Sequence, residues 1–394
     1  MSQLRKSDLN LQSRRPHVAL IVETSLASGR AVLRGIASYV REHQPWSIYH
    51  APRDLEEDVP NWLSEWQGDG IIARVQNRQI ADAVRQTGLP VVDALGLVPD
   101  AGFPLVHVDD GAIAALAAGH FFDCGFKHFG FCGLEAANWS ENRSAGFERL
   151  ITAAGYQCHH YRLPAHQTLV TWEEQQEFLA DWIRSLPKPV AIMACNDPRG
   201  QLVLEASGRA GISVPDEVAV IGVDNDEPLC EVANPTLSSV APDHLSVGYE
   251  AAALLDSLIE GHTPPAKPIY LPPKGIVIRQ STDVIAVKDP HVISAVRFIR
   301  NFACEGISVE DVVDQADVSR SVLQRRFKKY LGHTVHEIII RTQIKRAKEL
   351  LLETELTIAA IAEKTGFRHT EYLGVVFKDK TGMSPGQYRR EQRS

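Results

Sequence analysis

Two segments near the C-terminus repeat one pattern of apolar residues, and this repeat constrains the fold more than any other feature of the 394-residue chain. Phe327 corresponds to Phe377 and Gly332 to Gly382, an offset of 50 residues. In each copy the spacing of the apolar residues predicts two short helices joined by a tight turn, which is a helix-turn-helix unit. The last quarter of the chain is therefore expected to be an all-α domain with two equivalent halves.

The second copy carries the helix signals most clearly. Thr357 is placed to cap the first helix, and Gly366 can adopt the left-handed turn that ends it. In the next helix, from about His369, the spacing predicts a buried face made by Tyr372, Leu373, Val376 and Phe377. Between the copies, Thr334 and Glu337 have the spacing of a capping box, which opens a long helix with basic residues along one side.

Residues 292–390 also contain a set of residues that form a recognisable pattern. They are Arg341 or Arg346, Ala347, Leu351, Leu352, Ile361, Ala362, Gly366, Phe367, Phe377, Lys378, Gly382, Ser384, Pro385, Tyr388 and Arg389. This framework resembles the DNA-binding domain of the AraC family. The resemblance implies that both helix-turn-helix units bind double-stranded DNA.

The outward residues of the second helix of each copy are the candidates for reading DNA. In the first copy we favour Arg325 and Gln324, because Arg can bind guanine and Gln can bind adenine through two hydrogen bonds. Arg320 and Ser321 face the same way, although Arg320 is also suited to contact phosphate or to pack. The second copy has Thr370, Glu371, Gly374 and Val375 at these places, with Arg368, His369 and Lys378 as phosphate contacts. That copy reads bases, or it reads DNA shape and contributes mainly phosphate contacts.

Charge is distributed unevenly along the chain. From Pro290 onward there are 18 Lys and Arg against 13 Asp and Glu, a net charge of +5, whereas the first 289 residues have 23 against 36, a net charge of −13. Only the C-terminal part is suited to bind a polyanion such as nucleic acid. Because its positive charge is small, such binding must rely on a few well-placed cations. Residues 1–16 are polar and partly basic, and we interpret them as a flexible arm rather than a phosphate-contacting one.

From Val18 to Ile278, short β-branched runs alternate with helical patterns. This alternation predicts an α/β fold with a doubly wound parallel sheet. About 260 residues exceed what one such sheet needs, so we expect two lobes with a cleft between them. The predicted organisation is an arm at 1–16, a two-lobed sensor at 17–285 and an all-α reader domain at 286–394. The short linker predicts that sensor and reader are docked.

Ligands of open parallel sheets bind beyond the carboxyl ends of the strands, so the polar residues that directly follow the apolar runs are candidates. They are Glu23, Ser25, Asp109, Trp139, Arg143, Asn196, Asp197 and Asp224. Carboxylates accept from hydroxyls, Arg and Asn donate to them, and an indole covers an apolar C–H face, which together suit a sugar. The alternative role is a helix cap for Asn196 and Asp197, and a rim or core position for Trp139.

The same stretch resembles the sugar-binding core of the LacI/GalR family and of periplasmic binding proteins. The matching residues are Asp109, Arg143, Asn196, Asp197, Asp224 and the closing run from Arg279 to Thr282. The resemblance implies that these residues contact a monosaccharide effector. It also implies three crossings between the lobes, near residues 124, 241 and 268, which act as the hinge.

A sugar sensor followed by an AraC-type reader resembles the xylose operon regulators. That resemblance implies D-xylose as effector and DNA-bound homodimers that activate pentose catabolic genes, with RNA polymerase as a partner. One alternative is a regulator that responds to another pentose or to a hexose. Outside this class, the alternatives are a solute-binding protein and a sugar enzyme.

No catalytic constellation is recognisable in the sequence. The neighbouring acids Asp109 and Asp110 are too close in the chain to face a glycosidic bond from opposite sides. His159 and His160 lack the partner spacing of a metal site, and there is no P-loop or GxSxG motif. We therefore predict no enzymatic activity, no cofactor and no metal. The six scattered cysteines indicate reduced thiols, and the lack of an apolar h-region or membrane span predicts a cytoplasmic protein.

Overall fold

The computed structural model describes residues 15–54, 58–98, 100–135, 137–163, 171–283 and 289–393. Most of the predicted arm, residues 1–14, and the predicted boundary at 285–286 lie outside the described residues. Within them the predicted fold class is confirmed, because two α/β lobes precede an all-α domain. No helix in these ranges is long and apolar enough to cross a membrane.

The two lobes contain twelve strands and eight α-helices within the described residues. The strands are β1 (His17–Ile21), β2 (Ser47–His50), β3 (Gly70–Ala73), β4 (Val91–Asp93), β5 (Val106–Val108), β6 (His128–Leu134), β7 (Cys158–Leu163), β8 (Val190–Ala194), β9 (Val218–Val223), β10 (Ser238–Ala241), β11 (Ile269–Leu271) and β12 (Gly275–Val277). The helices are α1 (Ala27–Glu42), α2 (Arg78–Gln86), α3 (Asp110–Asp123), α4 (Asn138–Ala153), α5 (Trp172–Ser185), α6 (Asp197–Arg209), α7 (Glu227–Val232) and α8 (His244–Ile259).

The first lobe is built on a parallel sheet with strand order β2-β1-β3-β4. A bridge between Asp93 and Leu105 extends this sheet to β5, and β11 pairs with β5 in parallel. Helices α1 and α8 cross against each other on this lobe. A Cβ atom on Gly35 would lie 1.9 Å from the carbonyl oxygen of Leu245, so only glycine permits the close crossing.

The second lobe has the strand order β12-β10-β9-β8-β6-β7, parallel except for β12. The chain crosses between the lobes after β5, after β10 and after β11. The predicted crossing near residue 124 is wrong, because α3 packs against α4 in the second lobe and the chain has already crossed at Asp109. The second crossing, at 242–243, agrees with the prediction, and the third lies at 272–274 rather than at 268.

The described part of the reader domain has seven α-helices. They are α9 (Pro290–Phe302), α10 (Val309–Ala316), α11 (Arg320–Leu331), α12 (Val335–Glu353), α13 (Ile358–Lys364), α14 (Thr370–Thr381) and α15 (Pro385–Arg393). The sequence repeat is confirmed, because α11 and α14 are equally long and start 50 residues apart. Both end at a glycine with left-handed φ, 74° at Gly332 and 79° at Gly382. The predicted capping box of Thr334 and Glu337 opens α12.

Each helix-turn-helix unit has its own hydrophobic core. Leu323 and Phe327 of α11 are buried in the first, and Leu373 and Phe377 of α14 are buried in the second. The predicted burial of Tyr372 is wrong, because its side chain is 46% exposed. This residue lies at the edge of the buried face of α14, where its ring contacts Phe367 with centroids 5.9 Å apart.

The reader domain contacts the sensor at the C-terminal end of α3. Arg341 Nη2 of α12 lies 2.8 Å from Asp123 Oδ1, and Arg300 Nη2 of α9 lies 3.2 Å from Cys124 Sγ. All six cysteines are free thiols, and Cys124 is one of the five that are buried. Sensor and reader are therefore docked, as the short linker predicts.

Candidate functional site

Asp224 directly follows β9 in a loop with an uncommon backbone conformation. Its φ is 105° and that of Asn225 is 48°, a region that residues other than glycine rarely adopt. Two hydrogen bonds hold this loop: the Asn225 N–H donates to Ser239 Oγ (3.0 Å), and Arg279 Nη2 donates to Asn225 Oδ1 (2.9 Å). Such strain clusters at binding sites, where the surrounding structure fixes it.

Arg143 of α4 is buried in the second lobe close to Asp224. Its Nε donates to Asp110 Oδ1 at 2.8 Å, and its Nη1 donates to the Cys195 carbonyl at 2.6 Å. The guanidinium carbon lies 5.0 Å from the ring centroid of Trp139, which is a cation–π contact. Arg143 thus has a fixed orientation, set by α3, by the end of β8 and by an indole.

A second buried arginine, Arg74, approaches from the first lobe. It follows β3, forms an ion pair with Glu23 at the end of β1, and donates from Nη1 to Ser28 Oγ at 3.0 Å. Both Arg74 and Glu23 are almost completely buried. A buried ion pair of this kind holds its partners rigidly, because separating them would leave an uncompensated charge.

Asp224 lies in the electrostatic field of both arginines. Burial by itself would raise the pKa of its carboxyl, but the contact with His244 Nε2 (3.3 Å) and the charges of Arg143 and Arg74 lower it below its usual value. Burial lowers the pKa of Arg74 to about 10, and the charge of Asp224 opposes that effect. Asp224 is therefore negatively charged, and its charge is stabilised by Arg74 of the first lobe and Arg143 of the second.

Several buried polar atoms around this cluster have no hydrogen-bond partner among the described residues. They include Glu23 Oε2, Arg74 Nε and Asn138 Oδ1. Burial, followed by the charges of Arg143 and His244, holds the pKa of His107 well below its usual value, so its ring is neutral. Buried polar groups are nearly always paired, and a ligand rich in hydroxyl groups can both donate to and accept from this set.

The two lobes touch across the cleft. The Asn138 side-chain amide of the second lobe donates to the Gly96 carbonyl of the first. Arg30 Nη2 of α1 lies 3.8 Å from Asp226 Oδ2, which follows the Asp224 loop. The cleft residues of the two lobes therefore lie close enough for one small ligand to contact both.

The side chain of Asp197, a predicted effector contact, is hydrogen-bonded within the second lobe. Its side chain is fully buried, Oδ1 accepts from Ser239 Oγ (2.6 Å) and Oδ2 accepts from the Asp226 N–H (2.7 Å). Burial and the nearby charge of Asp224 raise the pKa of Asp197 to about 8. Both carboxylate oxygens are committed to the protein, so Asp197 supports the Asp224 loop from behind.

Three other predicted residues lie at the edge of the cluster. Asn196 caps α6 and Asp109 caps α3, each through one side-chain oxygen that accepts a backbone N–H. Asp110, not Asp109, binds Arg143, because α3 begins at Asp110 and the Asp109 side chain turns toward its own helix. Ser25 is exposed in the first lobe just before α1.

Helix α11, the first reading helix, is the second helix of the first helix-turn-helix unit, and it presents the predicted side chains outward. Arg325 and Ser321 are exposed, and Gln324 is half-buried. Arg320 forms an ion pair with Glu310 of α10. Arg326, on the inner side, donates to both carboxylate oxygens of Asp289 at 3.0 Å and so packs within the domain.

Helix α14, the second reading helix and the equivalent of α11 in the second unit, presents a different surface. Glu371 and Val375 are exposed, and Thr370 and Gly374 are partly buried. The predicted phosphate contacts Arg368, His369 and Lys378 are all exposed. The second unit therefore has cations at both ends of its reading helix and few polar groups between them.

Three family models match successive parts of the chain. An XylR N-terminal domain matches residues 17–105, a periplasmic binding protein-like domain matches 118–282, and a helix-turn-helix domain matches 312–391. The xylose operon regulatory protein of Escherichia coli K12 is 33% identical over 392 residues, covering 96% of this chain and 97% of that protein. The chain belongs to the xylose operon regulatory protein family.

Two further comparisons support this assignment. The xylose operon regulatory protein of Haemophilus influenzae is 33% identical over 382 residues, with 94% of this chain and 97% of that protein covered. A solved structure described as the xylose-binding transcription activator xylR matches with a TM-score of 0.63 at 31% identity, covering 97% of this chain and all of that one. The regulator is thus similar to these proteins along its whole length, sensor and reader included.

Sequence reasoning about the regulator missed Arg74, His107, Asp110 and His244. The rule that found Asp224, a polar residue directly after an apolar run, applies equally to Arg74 after the run Gly70–Ala73. It does not find His107, which lies within β5, or His244, which begins α8. His244 reaches Asp224 where the chain crosses after β10, and His107 lies 4.0 Å from Asp110 where the chain crosses after β5.

Proposed function

We propose that the chain is a D-xylose-dependent transcription activator of pentose catabolic genes. The observation that carries this proposal is the cluster of Arg74, Arg143 and Asp224, to which the two lobes supply charged side chains and buried polar atoms without a partner among the described residues. A monosaccharide matches this chemistry, because each hydroxyl both donates and accepts. The family relationship supports D-xylose as the sugar.

Within the cleft, each residue has a defined role. Asp224 and Asp110 accept from sugar hydroxyls, while Arg143 and Arg74 donate to them. Trp139 covers the apolar side of the ring, and Glu23, Asn196, Asp109 and Ser25 line the edge. A site of this kind rejects a sugar that lacks one hydroxyl, since its own buried groups would then be left unpaired.

Effector binding reaches DNA through the contact between sensor and reader. A sugar that contacts both lobes favours their closed arrangement by its differential affinity for that state. Helix α3 carries Asp110 of the cleft at one end and Asp123 of the reader contact at the other. A change in the angle between the lobes would therefore shift the position of the reader domain.

On DNA, the two helix-turn-helix units enter successive major grooves on one face of the duplex, about 10 base pairs apart. Gln324 and Arg325 read bases, with Ser321 and Arg320 beside them. In the second unit, Thr370 and Glu371 face the groove while Arg368, His369 and Lys378 contact phosphates. Helix α12 fixes the distance between the units, because it contributes to both hydrophobic cores.

The regulator acts as a homodimer that binds two half-sites and recruits RNA polymerase. Two half-sites double the number of bases that are read, which favours one promoter over the many non-specific sites of a genome. Because its target is chromosomal DNA, the regulator acts in the cytoplasm. Its role is binding, with no enzymatic activity.

Calorimetry of the purified regulator against D-xylose, other pentoses and common hexoses tests this proposal. We expect one D-xylose per chain and weaker or no binding of sugars that differ in one hydroxyl. Tighter binding of another sugar would support the proposed sensor but show that its effector is not D-xylose. No binding of any monosaccharide would contradict the proposed sensor.

A further inference from the structure

The two reading helices present different chemistry at equivalent positions. Helices α11 and α14 bury corresponding Leu and Phe residues, so residues 50 positions apart face the same way relative to their own core. The place of Arg325 in the first unit is taken by Val375 in the second. Val375 is 68% exposed, which leaves an aliphatic side chain where the other unit presents a cation.

The neighbours of Val375 leave it accessible. A Cβ atom built on Gly374 would meet nothing within 4 Å, so this side of the helix is open. Tyr372, three residues earlier and one turn away, is 46% exposed and widens the apolar surface. Exposed cations lie beyond both ends of this surface, Arg368 before the helix and Lys378 after Val375. Apart from the exposed carboxylate of Glu371, the surface between these cations is apolar, which matches a groove floor between two phosphate backbones.

We propose that the second unit recognises thymine, through contact of Val375 with the C5-methyl group in the major groove. The methyl group is the apolar feature by which a T·A pair differs from the other pairs in that groove. Valine has two methyl groups and no hydrogen-bonding atom in its side chain, so it can recognise this feature and no polar one. The inference rests on the proposed function, because it requires both units to enter the major groove.

The half-site would then have two chemically different ends. Arg325 and Gln324 recognise one end by hydrogen bonds, and Val375 recognises the other by apolar contact. A protein surface is the other class of partner for exposed apolar residues. DNA is favoured here because the repeat aligns Val375 with Arg325 and because exposed cations flank it, Arg368 just before α14 and Lys378 within it.

Uracil interference tests the proposal, because deoxyuridine differs from thymidine only by the missing methyl group. DNA is first selected for binding to the full-length regulator in the presence of D-xylose, then prepared with deoxyuridine at random thymine positions. We expect interference at one or two thymines in the patch bound by the second unit. Each lost methyl should weaken binding about fourfold, which corresponds to exposing one CH2-sized group.

The Val375→Ala variant should bind thymine and deoxyuridine DNA equally at those positions. The side chain is exposed, so this substitution leaves the domain folded. Arg325→Ala is the matched control at the equivalent position of the first unit. It should lose methylation interference at guanine in the other patch and keep the uracil signal.

Two results would overturn the proposal. The first is the absence of uracil interference in the second patch, and the second is the same interference with Val375→Ala as with the parent protein. If Val375→Ala retains the interference and the DNA affinity but loses activation, the surface binds a protein and the assignment to DNA is wrong. In footprinting, a single protected patch would contradict the proposed entry of both units into the major groove. Failure of the proposed function can therefore be distinguished from failure of the thymine contact alone.

Discussion

Arg341 Nη2 of the reader domain lies 2.8 Å from Asp123 Oδ1, the last residue of sensor helix α3. At the other end of the same helix, Asp110 accepts a hydrogen bond from Arg143 of the cleft. The helix has 14 residues and so spans about 21 Å. A packed helix with these contacts at its two ends is a continuous physical connection between the Asp224 cluster and the DNA-binding domain.

The substitution Arg341→Gln should uncouple the two sites. It removes the charge that meets Asp123 while leaving the cleft unchanged, so D-xylose should bind with the affinity of the parent protein. The increase in DNA affinity on addition of D-xylose should become smaller. Stability should change by less than about 1 kcal/mol, because both side chains are partly exposed. Calorimetry and DNA titrations with and without sugar measure both affinities.

Arg346→Gln is the matched control for this experiment. Arg346 lies five residues further along α12 and pairs with Glu349 inside the reader domain. The Arg346→Gln variant should leave the sugar response intact. The charge exchange, Arg341→Asp combined with Asp123→Arg, should restore the response that Arg341→Gln loses. An unchanged sugar response in Arg341→Gln would show that coupling does not pass through this contact.

The substitution Asp224→Asn should abolish the response to sugar. It keeps the shape of the side chain but replaces an acceptor-only carboxylate with an amide, which leaves sugar hydroxyls and His244 poorly paired at a cost of roughly 1–3 kcal/mol or more. DNA binding by the full-length variant without sugar should equal that of the parent protein, because the reader domain has its own two cores. Sugar affinity equal to that of the parent protein would place the effector site elsewhere.

Substitutions on the reading surface should separate base contacts from phosphate contacts. Arg325→Ala should cost about 1–3 kcal/mol and relax sequence specificity in one part of the half-site. Arg368→Ala should weaken binding to all sequences alike and reduce the salt dependence. Competition between specific and random DNA at several salt concentrations measures both effects, and identical behaviour of the two variants would contradict the assignment.

Asp197 should make the regulator less stable as the pH rises. Burial and Asp224 raise its pKa to about 8 in the folded protein, whereas an aspartate in an unfolded chain has a pKa of about 3.9. Between those values the folded state holds the extra proton, so the free energy of unfolding falls as pH increases. Asp197→Asn mimics the neutral carboxyl and should flatten this dependence in thermal unfolding between about pH 5.5 and 8.5. Equal slopes for the two proteins would refute the assignment.

The alternation of strands and helices and the 50-residue repeat were enough to predict the fold class. Both are local patterns, in which the spacing of apolar residues directly determines which side of each element is buried. Tyr372 shows the limit of such patterns, because its spacing is that of a buried residue although it lies at the edge of the buried face. Periodicity indicates a face but does not fix how far the neighbouring helix extends over it.

The cluster of charged residues around Asp224 was only partly predictable from sequence. Asp224, which follows a strand, and Arg143, which lies in helix α4, were both predicted, and the structure brings them into one cluster. The choice between Asp109 and Asp110 depends on which residue starts α3, and helix boundaries are uncertain by a few residues. Asp197 follows a strand as Asp224 does, but the packing of the Asp224 loop over it buries its carboxylate.

Reciprocal titration of D-xylose and operator DNA tests the central claim most directly, because coupling between two binding sites must be equal in both directions. D-xylose should tighten operator binding by a factor in the range of about 5 to 150, typical of coupled sites. Operator DNA should then tighten D-xylose binding by the same factor. Binding of D-xylose at full occupancy with no change in operator affinity would contradict the account.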